Sequence, residues 1–281
     1  MEIEVFLMVI GAALVHATWN ALVKADGNRL GLIKVMSASQ LGLSLTLVPF
    51  VAFPGLDSWP YLIASPILST GYMLFLNRAY QYGELSHVYP LARGVAPLIV
   101  AGVSVGFLGE QLGVANQVAV VLIALGIASL SLTRGAADFR DPRPVLYALA
   151  TGGFISAYTI VDALGARAAS TAHGYMVWLS IITAFMTYGC IHLLQQGKHA
   201  AVGPRTRNRG IASGLLSYGS SWLVIWALTL APMAMVSALR ETSIVFAVII
   251  GVVVLKERLN LARLISIMLT LIGTTILKVS R

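Results

Sequence analysis

Ten apolar segments follow one another along this chain, each close to the length that a helix needs to cross a bilayer. Short polar connections separate them. The segments cover residues 3–23, 33–53, 60–82, 87–108, 114–133, 144–164, 173–194, 210–231, 234–255 and 260–279. Only 11% of the residues are charged and the mean hydropathy is +0.84, which leaves too little polar surface to cover a soluble domain. The pattern predicts an all-α polytopic membrane protein with ten transmembrane helices.

The chain also contains an internal repeat. Residues 93–134 align without a gap on residues 240–281, with ten identities among 42 positions. Four of the matched pairs are polar residues or glycines that apolar composition does not explain, namely Arg93 with Arg240, Glu110 with Glu257, Gly126 with Gly273 and Arg134 with Arg281. This register indicates that one membrane unit has been duplicated.

The repeat predicts two halves of five spans each. Residues 1–134 form the first unit, residues 135–147 the linker and the start of the second half, and residues 148–281 the second unit. An odd number of spans makes the second unit enter the membrane with the opposite orientation. Substrate sites in proteins built from such inverted repeats lie near the membrane midplane, between the repeats. Two complete repeats in one chain favour a monomer.

Basic residues are distributed unevenly between the two sides of this arrangement. Thirteen Lys and Arg residues fall on the side of the first-to-second connection and three on the other, so the positive-inside rule predicts that both termini face outward. The acidic start, residues 1–4, lacks the features of a cleaved signal peptide, and we expect the first segment to remain as a span. The net charge of +8 reflects these connections and does not indicate a nucleic-acid partner.

The stretch Tyr89–Pro97 places an arginine inside an apolar segment. A charge at membrane depth costs about 2.5–3.5 kcal/mol on insertion scales, so Arg93 needs a partner or a wet cavity. Pro90 and Pro97 each remove a backbone donor, which makes this segment a candidate hinge. Guanidinium groups bind carboxylates and phosphates in a bidentate manner. Arg93 and its repeat partner therefore either bind a ligand or form a structural ion pair with Asp162 or Glu241.

Polar and aromatic side chains recur at helical spacing in several other segments, a pattern that indicates either a cavity lining or helix packing and interface anchoring. The predicted substrate-binding residues are His16, Trp19, Asn20, Tyr72, Tyr89, Arg93, Tyr158, Trp178, Tyr218, Trp222 and Arg240. Asp162 and Glu241 are the acids predicted to couple protons, if coupling exists, or to neutralise an arginine.

The sequence contains no phosphate-binding glycine loop, no metal-ligand spacing and no nucleophile elbow. The single cysteine, Cys190, lies in an apolar segment, where a small buried side chain is its expected role. These observations predict a protein that is not an enzyme and that uses no cofactor or metal.

The motif Phe107–Leu112 and its repeat Val254–Leu259 resemble the EamA branch of the drug/metabolite transporter superfamily. Gly126, Gly273 and the stretch His16–Asn20 fit the same pattern. The resemblance covers nearly the whole chain and implies export or exchange of small metabolites, including amino acids, across the bacterial inner membrane. The resemblance also implies, from many members with ten spans, that both termini lie in the cytoplasm, contrary to the charge distribution, so two orientations remain open.

The resulting functional hypothesis is a secondary transporter that moves small metabolites through the bilayer by alternating access. Amino acids, including aromatic ones, are the first candidate substrates, because arginines would hold the carboxylate and the aromatic residues would contact the side chain. The alternatives are an exporter of other small solutes or drugs, and a membrane scaffold or sensor that transports nothing.

Overall fold

The computed structural model describes residues 1–82, 85–132, 142–195, 202–253 and 261–280, and every regular element in these ranges is helical. The α-helices are α1 (Ile3–Lys24), α2 (Arg29–Leu47), α3 (Trp59–Tyr82), α4 (Leu85–Gly106), α5 (Val114–Ala128), α6 (Arg143–Ala168), α7 (Ala172–Gln195), α8 (Pro204–Leu230), α9 (Met233–Arg240), α10 (Ser243–Val253) and α11 (Leu261–Val279). Short 3-10 helices cover Val48–Phe50, Leu56–Ser58 and Ser129–Leu132.

Eight helical segments of the described chain are long and apolar enough to cross a membrane, and α9 and α10 count together as one of them. Helix α3 is 24 residues long but carries several polar side chains, and α5 has only 15 residues. The prediction of a helical membrane protein is confirmed. The count of ten spans and the inverted repeat stay predictions.

Helices of the first half pack on helices of the second half throughout the bundle. Helix α1 packs on α8 and α3 on α6, while α2 packs on α7 and α5 on α11. The shift of 147 residues carries residues 114–132, which are α5 and the 3-10 helix that follows it, onto α11. It also carries α4 onto the segment formed by α9 and α10.

The matched glycines of the repeat lie where α5 and α11 approach most closely. A β-carbon added to Gly126 would stand 2.9 Å from the Leu269 β-carbon, and one added to Gly273 would stand 2.8 Å from the Ala119 carbonyl oxygen. Neither distance leaves room for a methyl group. Glycine is therefore required at both positions by the separation of the two helices.

The ninth predicted segment is not one continuous helix. Helix α9 ends at Arg240 and α10 begins at Ser243, and the backbone N–H groups of Glu241 and Thr242 donate to carbonyls three residues earlier, as in a 3-10 turn. Residues 234–255 were predicted as one membrane span, and Met233–Val253 is one span by length and hydropathy. The break inside it was not predicted, because apolar composition does not register this local change of winding. By contrast, α4 passes through Pro90 and Pro97 as one helix.

Several predictions concern parts of the chain that lie outside the described residues. These are the end of the first unit at Arg134, most of the linker 135–147, the second copy of the family motif at 254–259, and the basic residues Arg140, Lys198, Lys256, Arg258 and Arg281.

Candidate functional site

A cavity of about 380 Å³ lies among eight of the helices, from α1 to α9 with the exception of α5. Polar, charged and aromatic side chains make up much of its wall. The predicted site residues that line it are His16, Trp19, Asn20, Tyr72, Tyr89, Arg93, Tyr158, Asp162 and Arg240. The fold thus brings nine residues from five helices around one space large enough for a small metabolite.

Arg93 has protein partners in this structure. Its Nε donates to Oε2 of Glu241 at 2.9 Å, and its Nη2 donates to Oγ of Ser243 at 3.2 Å. The ring centroid of Tyr89, one turn earlier in α4, lies 5.8 Å from the guanidinium carbon. Both side chains of the ion pair are almost fully buried. The pair joins α4 to the break between α9 and α10.

Arg240 occupies the matching position of the second repeat but has different surroundings. It is the last residue of α9, and its Nε is buried with no hydrogen-bond partner among the described residues. Its guanidinium lies on the cavity wall, close enough to act electrostatically on His16, Tyr158 and Asp162. A buried guanidinium whose N–H group has no acceptor can bind an anion, which then accepts the hydrogen bond.

Asp162 supplies a carboxylate to the same cavity from α6. Its Oδ1 accepts a hydrogen bond from the Tyr175 hydroxyl at 3.3 Å, and the Ser65 hydroxyl is a second hydrogen-bond partner. The residue is only 9% exposed. The cavity therefore carries both a positive and a negative group.

Aromatic rings form the apolar part of the wall. Tyr72 and Tyr158 meet edge to face with centroids 6.2 Å apart, and His16 meets Trp19 in the same way at 5.0 Å. The Trp19 Nε1 is buried and lacks a hydrogen-bond partner in the described part of the chain. Flat aromatic surfaces beside an N–H donor without an acceptor suit a small solute that has both apolar and polar parts.

Three of the predicted substrate-binding residues do not line this cavity. Trp178 packs against Phe53 and Trp59, with ring centroids 5.1 Å and 5.8 Å away. Trp222 donates from Nε1 to Nδ1 of His173 at 2.7 Å. Tyr218 is 2% exposed and packs beside Trp222 in the core. These residues do recur at helical spacing, but in the structure their side chains pack between elements of the bundle rather than around the cavity.

Glu241, the other acid predicted to couple protons or to neutralise an arginine, is not among the residues that line the cavity. It is 3% exposed and bound to Arg93. The prolines predicted as hinges, Pro90 and Pro97, are buried inside α4.

Sequence reasoning missed a set of hydroxyl and amide side chains on α2, α3 and α7. They are Ser37, Gln40, Ser65, Ser69, Ser180, Thr183 and Thr187. Spacings of three and four residues place each group on one helical face, which is the signal that could have identified them. A single small hydroxyl residue in an apolar helix is readily explained as a contact between helices. The recurrence of such residues on three separate helices is the pattern that indicates a cavity lining.

One end of the bundle is held together by the Glu110 carboxylate, which belongs to the first copy of the repeated motif. It accepts a bond from Arg167 Nη1 at 2.8 Å, and its Oε2 accepts from the backbone N–H of Met233, at the start of α9, at 3.0 Å. The same arginine donates to the carbonyls of Leu228 and Ala231 at the end of α8. Since Leu228 lines the cavity, this network lies beside the cavity wall.

Long apolar helices packed around a buried, mixed-charge cavity define a multi-pass membrane protein. The family model of EamA-like transporters matches residues 4–132 and 142–279, so this chain belongs to the EamA-like transporter family, within the drug/metabolite transporter superfamily. The two matches correspond to two tandem repeats. Membership of this family indicates a membrane transporter of small solutes.

Several solved structures match this chain, and one of them is a crystal structure with the same fold. It superposes with a TM-score of 0.74 over 98% of this chain and 96% of the other, at 17% sequence identity. At this identity the likeness concerns the fold alone. No curated protein sequence matches the chain.

Proposed function

We propose that this protein is a secondary transporter that moves amino acids, aromatic ones included, across the bacterial inner membrane by alternating access. The observation that carries the proposal is Arg240, which lines a mixed polar and aromatic cavity and whose buried Nε has no hydrogen-bond partner among the described residues. A scaffold or sensor would have no need of such a wall. A transporter of anionic or zwitterionic solutes needs a cation in this position.

The two arginines of the repeat have separate roles in this proposal. Arg240 binds the substrate carboxylate, because the residue lines the cavity and takes part in no ion pair among the described residues. Arg93 is already bound to Glu241 and Ser243, and it contributes positive potential and holds the break between α9 and α10 in place. Trp19, Tyr72 and Tyr158 contact the apolar part of the substrate from three different helices.

Alternating access is proposed from the way in which the two halves pack. The pairing of α1 with α8 and of α3 with α6 follows the repeat, which supports ten spans related by an inverted two-fold axis. Movement of one half against the other would expose the cavity first to one side of the membrane and then to the other. The break after Arg240 and the prolines of α4 are the proposed points of bending.

The test is counterflow of labelled amino acids in proteoliposomes, comparing Arg240→Met with the wild type. Arg207→Gln, an exposed cation at the start of α8, is the matched control. We expect saturable flux in the wild type and the control, and a loss of at least about ten-fold in kcat/KM in Arg240→Met, because one charge-assisted hydrogen bond contributes about 1.5–3 kcal/mol. Unchanged flux in a folded Arg240→Met variant would disprove the assignment of the carboxylate site.

A further inference from the structure

Asp162 is a buried carboxylate that lines the cavity and forms no ion pair with a basic side chain among the described residues. Arg93–Glu241, Arg167–Glu110 and Arg209–Asp26 are ion pairs between described residues, and Asp162 takes part in none of them. Its contacts are the Tyr175 hydroxyl and the Ser65 hydroxyl, both neutral donors. These two bonds orient the carboxylate without neutralising its charge.

A carboxylate has more acceptor capacity than these two bonds use. An ionised Asp has about four lone-pair directions on its two oxygens. A buried negative charge without a cation is costly, and such groups are found where a cation binds or where a proton is exchanged. A positively charged group of the substrate can therefore supply the partner that the Asp162 carboxylate lacks among the described residues.

Arg240 lines the same cavity. Whereas Asp162 lacks a cationic partner among the described residues, Arg240 lacks an anionic one. Its Nε lacks an acceptor among the described residues. The Arg240 guanidinium is near enough to Asp162 for the two charges to influence each other, although the two residues form no ion pair. The two residues come from α9 and α6, so their separation is fixed by helix packing. A solute that carries both an ammonium group and a carboxylate complements this arrangement of one anion and one cation.

We infer that Asp162 is the residue that selects substrates with a protonated amine. In this arrangement the ammonium group donates to the Asp162 carboxylate while Tyr175 holds that carboxylate in place from behind. Arg240 takes the substrate carboxylate, and the aromatic rings of Tyr72 and Tyr158 contact the remaining side chain. This inference rests on the proposed function and adds the group that distinguishes an amino acid from a simple organic acid.

The experiment compares three ligands that share a phenyl ring: phenylalanine, 3-phenylpropionate with only the carboxylate, and phenethylamine with only the amine. Binding to the purified full-length protein is measured by the shift of its thermal unfolding midpoint, and phenylalanine and phenylpropionate flux is measured in proteoliposomes. The variants are Asp162→Asn, which is isosteric and can still accept from Tyr175, Asp162→Glu, which keeps the charge, and Arg240→Met. Asp57→Asn is the control, because Asp57 lies in an exposed connection before α3.

We expect Asp162→Asn to lose phenethylamine binding and to reduce kcat/KM for phenylalanine by about ten-fold or more, while phenylpropionate is unaffected. Asp162→Glu should retain a preference for amines, which separates the charge from an effect on folding. Arg240→Met should lose phenylpropionate binding and keep that of phenethylamine. That combination would support the amine site even if no amino acid were transported.

Two results would overturn the inference. The first is Asp162→Asn binding phenethylamine as tightly as the wild type, or no amine-dependent binding in the wild type itself. The second is an equal loss of phenylalanine and phenylpropionate flux together with loss of dependence on a pH gradient, which would identify Asp162 as a proton carrier. Failure of the proposed amino-acid transport is recognised separately, by the absence of phenylalanine flux in the wild type.

Discussion

Arg93 and Glu241 form a buried ion pair that joins α4 of the first repeat to the break between α9 and α10 of the second, with 2.9 Å between Nε and Oε2. The pair leaves the matching arginine, Arg240, without a carboxylate of its own. The two matched arginines thus differ in their surroundings, because both line the cavity but only Arg93 has a carboxylate partner among the described residues. Glu241 makes this difference, because its repeat partner in the first half is Gly94.

Removing one member of this pair should destabilise the protein strongly. Glu241→Ala leaves the Arg93 guanidinium buried and unpaired, which costs about 3–5 kcal/mol in comparable cases. The double variant Arg93→Met with Glu241→Leu should recover much of that stability, because neither charge remains. The thermal unfolding midpoint in detergent measures both effects. The control is Glu4→Ala, an exposed acid in the first turn of α1, and equal midpoints for Glu241→Ala and this control would contradict the prediction.

The tryptophans of the chain should divide into two groups by function. Trp19→Ala removes part of the cavity wall and should raise KM for an aromatic substrate about ten-fold, equivalent to about 1.4 kcal/mol of lost contact. Trp178→Ala removes packing against Phe53 and Trp59, so it should lower the unfolding midpoint and leave KM within about two-fold of the wild type. Transport kinetics and thermal unfolding of both variants are the measurement. A larger change in KM for Trp178→Ala than for Trp19→Ala would reverse the assignment.

The close contact between α5 and α11 should tolerate no added methyl group. Gly273→Ala would place its β-carbon 2.8 Å from the Ala119 carbonyl oxygen, so the helices must separate, at a cost of about 1–3 kcal/mol. Gly153→Ala in α6 is the matched control, since a β-carbon there meets nothing within 4 Å and alanine favours the helix by about 1 kcal/mol. The two variants should therefore shift the unfolding midpoint in opposite directions. A neutral Gly273→Ala variant would show that the interface can relax.

The Asp26 carboxylate should stabilise the folded protein at neutral pH, and this contribution should be lost in acid. This residue lies in the connection between α1 and α2, where its Oδ1 accepts from the Asn28 backbone N–H at 2.9 Å and its Oδ2 faces Arg209 at 3.4 Å. The Asn28 N–H bond, with further help from Thr206 and Arg209, lowers the pKa of the Asp26 carboxyl below its usual value. Because the folded-state pKa is depressed, the stabilisation is complete above the unfolded value of about 3.9 and is lost as pH falls through the folded-state pKa.

The corresponding variant is Asp26→Asn, compared with the wild type by unfolding midpoint from pH 7 down to pH 3. At neutral pH the variant should be less stable, and the difference should shrink below about pH 4. Asp57→Asn serves as the control, because Asp57 has no hydrogen bond or ion pair in the described part of the chain. A difference between Asp26→Asn and wild type that stays constant with pH would rule out this role of the carboxylate.

The sequence by itself determined the helical membrane class, the internal repeat and the family. Apolar segments of about 20 residues cross the bilayer as helices, because lipid offers no hydrogen-bond partners and a helix satisfies its backbone groups within the segment. The shift of 147 residues identified Arg93 with Arg240 and Gly126 with Gly273 before any packing was known. Charges at membrane depth are so costly that nearly every polar residue chosen on that ground lies in the bundle interior.

Only the tertiary structure decided which of these residues share a cavity and which pair with each other. Helical spacing shows that Trp222 lies on one face of α8, but not that His173 of α7 meets that face. Periodicity along one helix carries no information about the neighbouring helix. The same limit applies to the arginines: the sequence presents Arg93 and Arg240 as equals, and the carboxylate of Glu241, which follows Arg240 in the chain, binds Arg93 across the helix interface. A change of winding between α9 and α10, too local for hydropathy to register, places that carboxylate where it can do so.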